Sequence, residues 1–140
     1  MARVLLDTNI VLDYLSAARP CHAQAVELLE CLLESDIEPV IAASSIKDAY
    51  YILCRHYRRE AVVRERLHDF LDIVGLEELT QEVVEAAFAS DEPDFEDGIL
   101  RATAELGGFS AIITRDAAAY ASSPVPAMDC VRALAAFATR

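Results

Sequence analysis

Short apolar runs alternate with longer amphipathic segments along the whole chain. The short runs predict buried strands, because runs of four to seven residues are too short for a core helix and several are rich in Val and Ile. Four such runs are clear and a fifth is short, and Gly75 weakens the third. The predicted strands are RVLLD (3–7), PVIAA (39–43), IVGLEEL (73–79), SAIIT (110–114) and VPAM (125–128).

The longer segments place their apolar residues at helical spacing. Thr80 is a good N-cap for one of them, and Gly107 with Gly108 closes another. Strands that alternate with helices predict an α/β fold, with a parallel sheet of four to five strands covered by helices on both faces. The predicted helices are 9–18, 21–35, 44–58, 59–72, 81–90, 94–108 and a last one that runs to Arg140.

Length and composition narrow the class of protein further. The 140 residues, 54% hydrophobic and 26% charged, indicate one folded domain over residues 1–140. No apolar run is long enough for a membrane span, so no membrane partner is expected. The four cysteines are scattered, which favours free thiols in a reducing cytoplasm over disulfides or a metal cluster.

The net charge of -12 argues against a nucleic-acid partner, but the charge is uneven. The stretch 67–100 contains no Lys or Arg and eleven of the twenty-four acids. A basic cluster lies just before it, made of Arg55, Arg58, Arg59, Arg64 and Arg66. Helical spacing places the first three near one end of a helix and the last two on the next helix. We expect Arg55, Arg58 and Arg59 to hold RNA phosphates, although the alternative, solvated pairing with Glu60 and Glu65, is the commoner role of surface arginines.

Acids follow the predicted strands where ligands bind in parallel sheets, at the carboxyl edge. Asp7 ends the first strand, Asp116 follows the fourth and Asp48 comes soon after the second. Asp97 lies one turn into a helix within DFEDGILRATA (94–104), and with Asp91 and Glu92 just before this stretch five carboxylates crowd one helix entry. Each acid could be a helix cap, as in a capping box of Ser45 with Asp48 or Asp94 with Asp97.

Capping does not explain why the acids gather at one edge, or why each is Asp. A carboxylate cluster without a neutralising base is a hard-oxygen site for Mg²⁺ or Mn²⁺. The three histidines are dispersed and lack the spacing of a zinc site. No glycine-rich phosphate loop and no nucleophile elbow are present. The only lysine, Lys47, lies far from the late position that a haloacid-dehalogenase phosphatase or a receiver domain requires.

Four segments, in this order, resemble the PIN-domain family, close to the branch of VapC-type toxins of bacterial toxin–antitoxin pairs. They are VLLDTNIVLDYL, AASSIKDAYYIL, DFEDGILRATAELGGFSAIITRD and VPAM, and the likeness covers essentially the whole chain. The resemblance implies a PIN-like three-layer fold and a Mg²⁺- or Mn²⁺-dependent ribonuclease. Metal ions in such enzymes activate water and neutralise charge on the phosphate.

The resemblance also assigns roles to particular residues. It implies catalytic roles for Asp7, Asp97 and Asp116 as metal ligands, and for Asp48, where the family often has Glu. Asp48 is one methylene shorter, so it would contact the metal directly or through water. The polar positions around the metal match Thr8, Asn9 and Thr114, with Asp94 further out.

A toxin requires a blocker, so the resemblance implies a small antitoxin that inserts an Arg or Lys among the carboxylates. Tyr50, Tyr51 and Tyr57 offer an apolar groove for it, although Tyr51 could instead be core. The complex is expected to be built on a homodimer of this chain. Two alternatives stay open, a non-catalytic PIN-like interaction module and a metal-dependent nuclease outside toxin–antitoxin biology.

Overall fold

The computed structural model describes residues 2–138 of the chain. Five parallel strands form one sheet in the spatial order β3-β2-β1-β4-β5. Strand β1 is therefore central, flanked by β2 on one side and β4 on the other. The strands are β1 (Arg3–Leu6), β2 (Glu38–Ala42), β3 (Gly75–Glu77), β4 (Ala111–Ile113) and β5 (Ala127–Met128).

Seven α-helices connect and cover the strands within the described residues. A single 3-10 turn, Ala117–Tyr120, follows β4. Thr80 caps the fifth helix by accepting a hydrogen bond from the Val83 amide, as the sequence predicts. The helices are α1 (Thr8–Leu15), α2 (His22–Glu34), α3 (Ala43–Tyr57), α4 (Glu60–Phe70), α5 (Gln81–Ala89), α6 (Phe95–Leu106) and α7 (Cys130–Phe137).

Two apolar cores lie on opposite faces of the sheet. Val4 and Leu6 of β1 face a large core that also contains residues of α1, α2, α3, α4 and α7. Leu5 points the other way, into a smaller core with Leu100 of α6 and Tyr120. This alternation follows from the two-residue period of a strand, and it explains why β1 is apolar at every position from Val4 to Leu6.

The register of the sheet sets the location of the acids. Leu6 lies opposite both Ile41 of β2 and Ile113 of β4. Because the strands are parallel, the residues that follow them, beginning with Asp7 and Thr114, emerge at the same edge. This is the edge at which open α/β sheets bind ligands.

The predicted α/β fold with its parallel sheet is confirmed. The third strand is shorter than predicted, only Gly75–Glu77. The last helix ends at Phe137, and its predicted continuation to Arg140 reaches beyond the described residues. None of the helices in residues 2–138 is long and apolar enough to cross a membrane.

Candidate active site

Asp7 connects the central strand to the first helix, and both of its oxygens are engaged. Its backbone amide donates to the Ile113 carbonyl at 2.9 Å, which extends the β1–β4 pairing by one residue. Oδ1 accepts from the Thr8 amide at 2.7 Å, so the cap role predicted for Asp7 is confirmed. Oδ2 faces away from the helix and accepts from the Thr114 hydroxyl at 2.8 Å.

Tyr120 joins Asp7 to Asp97. Its phenol lies 3.1 Å from Asp7 Oδ2 and 3.2 Å from Asp97 Oδ1, so two carboxylates share one hydroxyl. Tyr120 is buried, and burial and these two negative charges raise its pKa well above the ordinary value. The phenol therefore stays protonated at neutral pH and acts as a hydrogen-bond donor to the carboxylates. The start of α6 lies at the carboxyl edge of the sheet because the helix runs antiparallel to the strands.

The four predicted acids border one pocket of about 980 Å³. Asp7 and Asp97 lie partly buried, whereas Asp48 and Asp116 are exposed. Thr8 and Asn9 contribute polar groups to the same pocket, and the buried Thr114 lies beneath it. The grouping of Asp7, Asp48, Asp97 and Asp116 supports their assignment to one site, and their catalytic roles stay predictions.

The acids of the pocket repel one another. The pKa of Asp97 is raised above 3.8 by burial first and then by the negative charges of Asp94, Asp7 and Asp116, against a smaller opposing effect of the Tyr120 hydrogen bond. The ion pairs within residues 2–138 leave these carboxylates without a Lys or Arg partner. Lys47 borders the pocket, and Arg115 turns away to Asp13.

The crowded entry of α6 divides into three different roles. Asp91 and Glu92 pair with Arg101, at 3.2 and 2.8 Å. Asp94 is the helix cap, because its Oδ1 accepts from the amides of Glu96 and Asp97. That leaves Glu96 and Asp97, which both border the pocket, and Asp97 shares the Tyr120 hydroxyl with Asp7. Three of the five acids are therefore accounted for by local structure.

The donor set fits a hard divalent ion. Within residues 2–138 no three His, Cys, Asp or Glu side chains stand close enough to form a preassembled metal site. Asp7 and Asp97 nonetheless present oxygens within 3.2 Å of one hydroxyl, and no Lys or Arg of residues 2–138 pairs with them. Carboxylate oxygens are the ligands that Mg²⁺ and Mn²⁺ prefer. A divalent charge would offset the burial, and after it the neighbouring negative charges, that raise the pKa of Asp97.

Two of the capping alternatives are wrong. Helix α3 begins at Ala43, and its N-cap residue is Ala42, whose methyl side chain cannot accept a hydrogen bond. Ser45 and Asp48 therefore do not form a capping box. Ser45 lies inside the helix and accepts from the Thr8 hydroxyl at 2.9 Å. Asp116 precedes the 3-10 turn but makes no side-chain cap bond. Asp48 and Asp116 are thus left without a capping role.

Tyr120 is the residue that sequence reasoning missed. Its segment, DAAAY, reads as a short turn after Asp116, and nothing in a single sequence aims the phenol at Asp7, 113 residues away. The available signal is weak. Tyr120 is the one polar side chain of an otherwise all-Ala turn that leaves the carboxyl end of a strand.

The basic cluster separates into members with different surroundings. Arg64 pairs with Glu60 at 2.7 Å, as the charge-pairing alternative predicts. Arg59 lines a small cavity that shares no residue with the acidic pocket. Arg55 lies 5.6 Å from the ring centre of Tyr51, which borders the acidic pocket. Arg58 is exposed and ends α3 at a positive φ of 55°.

The tyrosines of α3 also differ from one another. Tyr51 is 60% exposed, so the alternative that it belongs to the core is wrong. Tyr50 donates to Glu60 at 2.8 Å, and Tyr57 is hydrogen-bonded to Ser16 at 2.6 Å. Tyr51 is thus the member of the three whose ring borders the acidic pocket.

Comparison with known proteins places this fold. No curated protein matches the sequence. VapC20 of Mycobacterium tuberculosis, a toxin that cleaves the sarcin–ricin loop, is 17% identical with a TM-score of 0.63, over 78% of this chain and 86% of its own. A toxin–antitoxin complex from Klebsiella pneumoniae is 23% identical with a TM-score of 0.67, over 88% and 94%. FitAcB from Neisseria gonorrhoeae is 20% identical with a TM-score of 0.71, over 91% and 98%.

These structural likenesses establish the shared fold, and a match to a family profile identifies the family. The sequence profile of the PIN domain matches residues 3–118, which is most of the chain and includes Asp7, Asp48, Asp97 and Asp116. This chain therefore belongs to the PIN-domain family.

Proposed function

We propose that this protein is a Mg²⁺- or Mn²⁺-dependent endoribonuclease and the toxin of a toxin–antitoxin pair. The observation that carries the proposal is the pairing of Asp7 and Asp97 on one hydroxyl in a pocket that Asp48 and Asp116 also border, where no Lys or Arg of residues 2–138 forms an ion pair with them. Membership of the PIN-domain family and the toxin–antitoxin proteins that share the fold support it. An RNA substrate would place the activity in the cytoplasm.

The residues present suit phosphodiester hydrolysis. Asp7 and Asp97 would hold the ion, with Asp116 and Asp48 close by as further oxygen donors. When bound, the ion supplies Lewis acidity, which activates water and offsets charge on the phosphate. Thr114 fixes the orientation of Asp7 through its 2.8 Å hydrogen bond, and Tyr120 keeps the two carboxylates facing one another. A carboxylate of the pocket would orient the attacking water and accept the proton that it loses, so no His or Lys base is required.

Metal binding and cleavage can be tested separately. We expect isothermal titration with Mn²⁺ to show binding that is lost in Asp97→Asn. Incubation with a cellular RNA pool should show cleavage with Mg²⁺ or Mn²⁺ that EDTA abolishes. Metal binding without any RNA cleavage would favour the non-catalytic PIN-like interaction module. Absence of both would refute the proposed function.

The surroundings of the pocket suit an antitoxin peptide. Tyr51, Leu79 and Phe95 border the pocket and are 60%, 44% and 42% exposed. Phe95 also contacts Phe88, which is 72% exposed, at a ring separation of 4.5 Å. Exposed apolar groups around an acidic pocket suit a segment that inserts an Arg or Lys and anchors its own apolar residues alongside.

Co-expression tests the partner. The chain should co-purify with the small protein encoded beside its gene, in a complex whose mass by light scattering corresponds to a homodimer of this chain plus antitoxin. Ribonuclease activity should be low in the complex and should appear when the partner is removed. Full activity in the presence of that neighbour, with no complex, would leave a nuclease outside toxin–antitoxin biology.

A further inference from the structure

Asp13 is the most deeply buried acid outside the pocket. It lies on α1 and is 1% exposed, and each of its oxygens faces a different arginine. Oδ1 accepts from Arg19 Nε at 2.8 Å, and Oδ2 lies 2.9 Å from Arg115 Nε. Within residues 2–138 this Oδ2 accepts no aligned hydrogen bond, so the Arg115 charge is what compensates it.

The two arginines belong to different parts of the chain. Arg19 lies in the connection between α1 and α2, which does not contribute to the acidic pocket. Arg115 lies between Thr114 and Asp116, in the connection that leaves β4. One buried carboxylate therefore holds one segment that belongs to the pocket and one that does not.

The segment that carries Asp116 is anchored at its ends by Thr114 and by the buried Tyr120, and between them it has few other anchors. Thr114 is fixed by the sheet, since its amide donates to the Met128 carbonyl at 2.9 Å. The Arg115 amide donates to Asn9 Oδ1 at a longer 3.3 Å. The Asp116 amide donates to the Thr114 hydroxyl at 3.1 Å, and the side chain makes no cap bond. The ion pair of Arg115 is the charged tether of this segment.

We propose that Arg115, through its ion pair with Asp13, is a positioning residue that holds Asp116 at the acidic pocket. A carboxylate buried as deeply as Asp13 is costly without a compensating charge, so the pair resists separation and fixes the backbone on both sides of Arg115. The consequence for metal binding and cleavage rests on the proposed function. The tether itself is a property of the metal-free protein.

Electrostatics alone predicts the opposite effect on metal binding. Removal of Arg115 takes a positive charge away from the residue next to Asp116, which would favour a divalent cation. Loss of position instead weakens binding, because a ligand that is not preoriented must be ordered when the ion arrives. Changes to groups that orient metal ligands typically cost about 10- to 100-fold in affinity or activity.

The test compares Arg115→Ala with Arg19→Ala, which removes the other arginine from the same carboxylate. In metal-free protein we expect Arg115→Ala to speed amide hydrogen exchange at residues 114–120, and Arg19→Ala to speed it at residues 16–22. Mn²⁺ affinity by calorimetry should fall about 10- to 100-fold in Arg115→Ala and stay unchanged in Arg19→Ala. In RNA cleavage, Arg115→Ala should lower kcat with little change in KM.

Unchanged exchange at residues 114–120, tighter Mn²⁺ binding in Arg115→Ala, or equal losses in both variants would each overturn the inference. Arg115→Gln keeps the aliphatic stem and serves in the same measurements if the Ala variant does not fold. If wild-type protein neither binds Mn²⁺ nor cuts RNA, the proposed function fails. The exchange comparison then still decides whether Arg115 holds this segment.

Discussion

Asp13 is buried and Asp97 is partly buried, and the surroundings of the two charges are opposite. Asp13 faces two arginines at 2.8 and 2.9 Å. Asp97 faces other acids and one tyrosine, and its pKa is raised by burial and by those charges. The Asp13 charge is matched within the chain, so it serves the fold. No Lys or Arg of residues 2–138 pairs with Asp97, which suits the metal-ligand role proposed for it.

The largest expected effect concerns the unmatched site. Asp7→Asn should lower metal-dependent RNA cleavage about 10³-fold, because a lost metal ligand removes roughly 4 kcal/mol of transition-state stabilisation. The variant should stay folded, since Asn also caps helices well. Asp91→Asn is the matched control, an exposed acid paired with Arg101, and should retain wild-type cleavage. Full activity in Asp7→Asn would remove this residue from the catalytic set.

At Asp13, whose charge is paired with two arginines, the expected effect of a substitution is a lower free energy of unfolding. Asp13→Asn leaves Arg19 and Arg115 without their carboxylate. Broken buried pairs cost about 3–5 kcal/mol, and the partial exposure of both arginines reduces the expected loss here to roughly 2 kcal/mol. Urea denaturation of metal-free protein measures it. A change below about 0.5 kcal/mol, the range of ordinary surface substitutions, would mean that the two arginines contribute little to the fold.

An Asp-to-Asn substitution at the pocket should have the opposite effect on the free energy of unfolding. Asp97→Asn should leave metal-free protein as stable as wild type or more stable by up to about 1 kcal/mol, the range for partly exposed charges. A raised carboxyl pKa means that the ionised form is disfavoured in the folded state, so the difference is present at pH 7. It should shrink as the pH falls through the raised pKa and vanish below about 3.8, where the carboxyl is protonated in both states. If Asp97→Asn is less stable than wild type at pH 7 in EDTA, then burial and the neighbouring charges do not destabilise the ionised form of Asp97.

This contrast also marks what the sequence could predict. Alternating strands and helices, with acids directly after strands, were sufficient to place Asp7 and Asp116 at one edge. The position of Asp97 required the fold, because only packing brings the start of α6 to that edge. Asp13 reads as an ordinary polar residue within an amphipathic helix, and its arginines come from segments about 100 residues apart in the chain. Such long-range pairings leave no local pattern.

Tyr120 illustrates the same limit at the level of one side chain. Its two hydrogen bonds reach residues 113 and 23 positions away. The cap at Thr80 was predictable because its partner, Val83, is three residues away. Local hydrogen bonds follow from residue type and spacing, whereas the groups that complete the acidic pocket depend on how distant elements pack.

The smallest expected effect extends the comparison to the arginines. Arg19 and Arg115 are matched by a carboxylate, whereas Arg55 contacts the Tyr51 ring and has no ion pair among residues 2–138. An exposed arginine of this kind beside an acidic pocket would hold an RNA phosphate that the acids repel. Arg55→Ala, measured in a catalytically inactive Asp7→Asn background, should weaken RNA binding and lower the slope of log affinity against log salt by about 0.7, the value for one single-strand phosphate contact. Arg132→Ala, an exposed arginine on α7 outside the pocket, should leave the slope unchanged. Equal slopes for both variants would mean that Arg55 is an ordinary solvated arginine without an RNA contact. Arg58 and Arg59 would then be the remaining predicted RNA contacts.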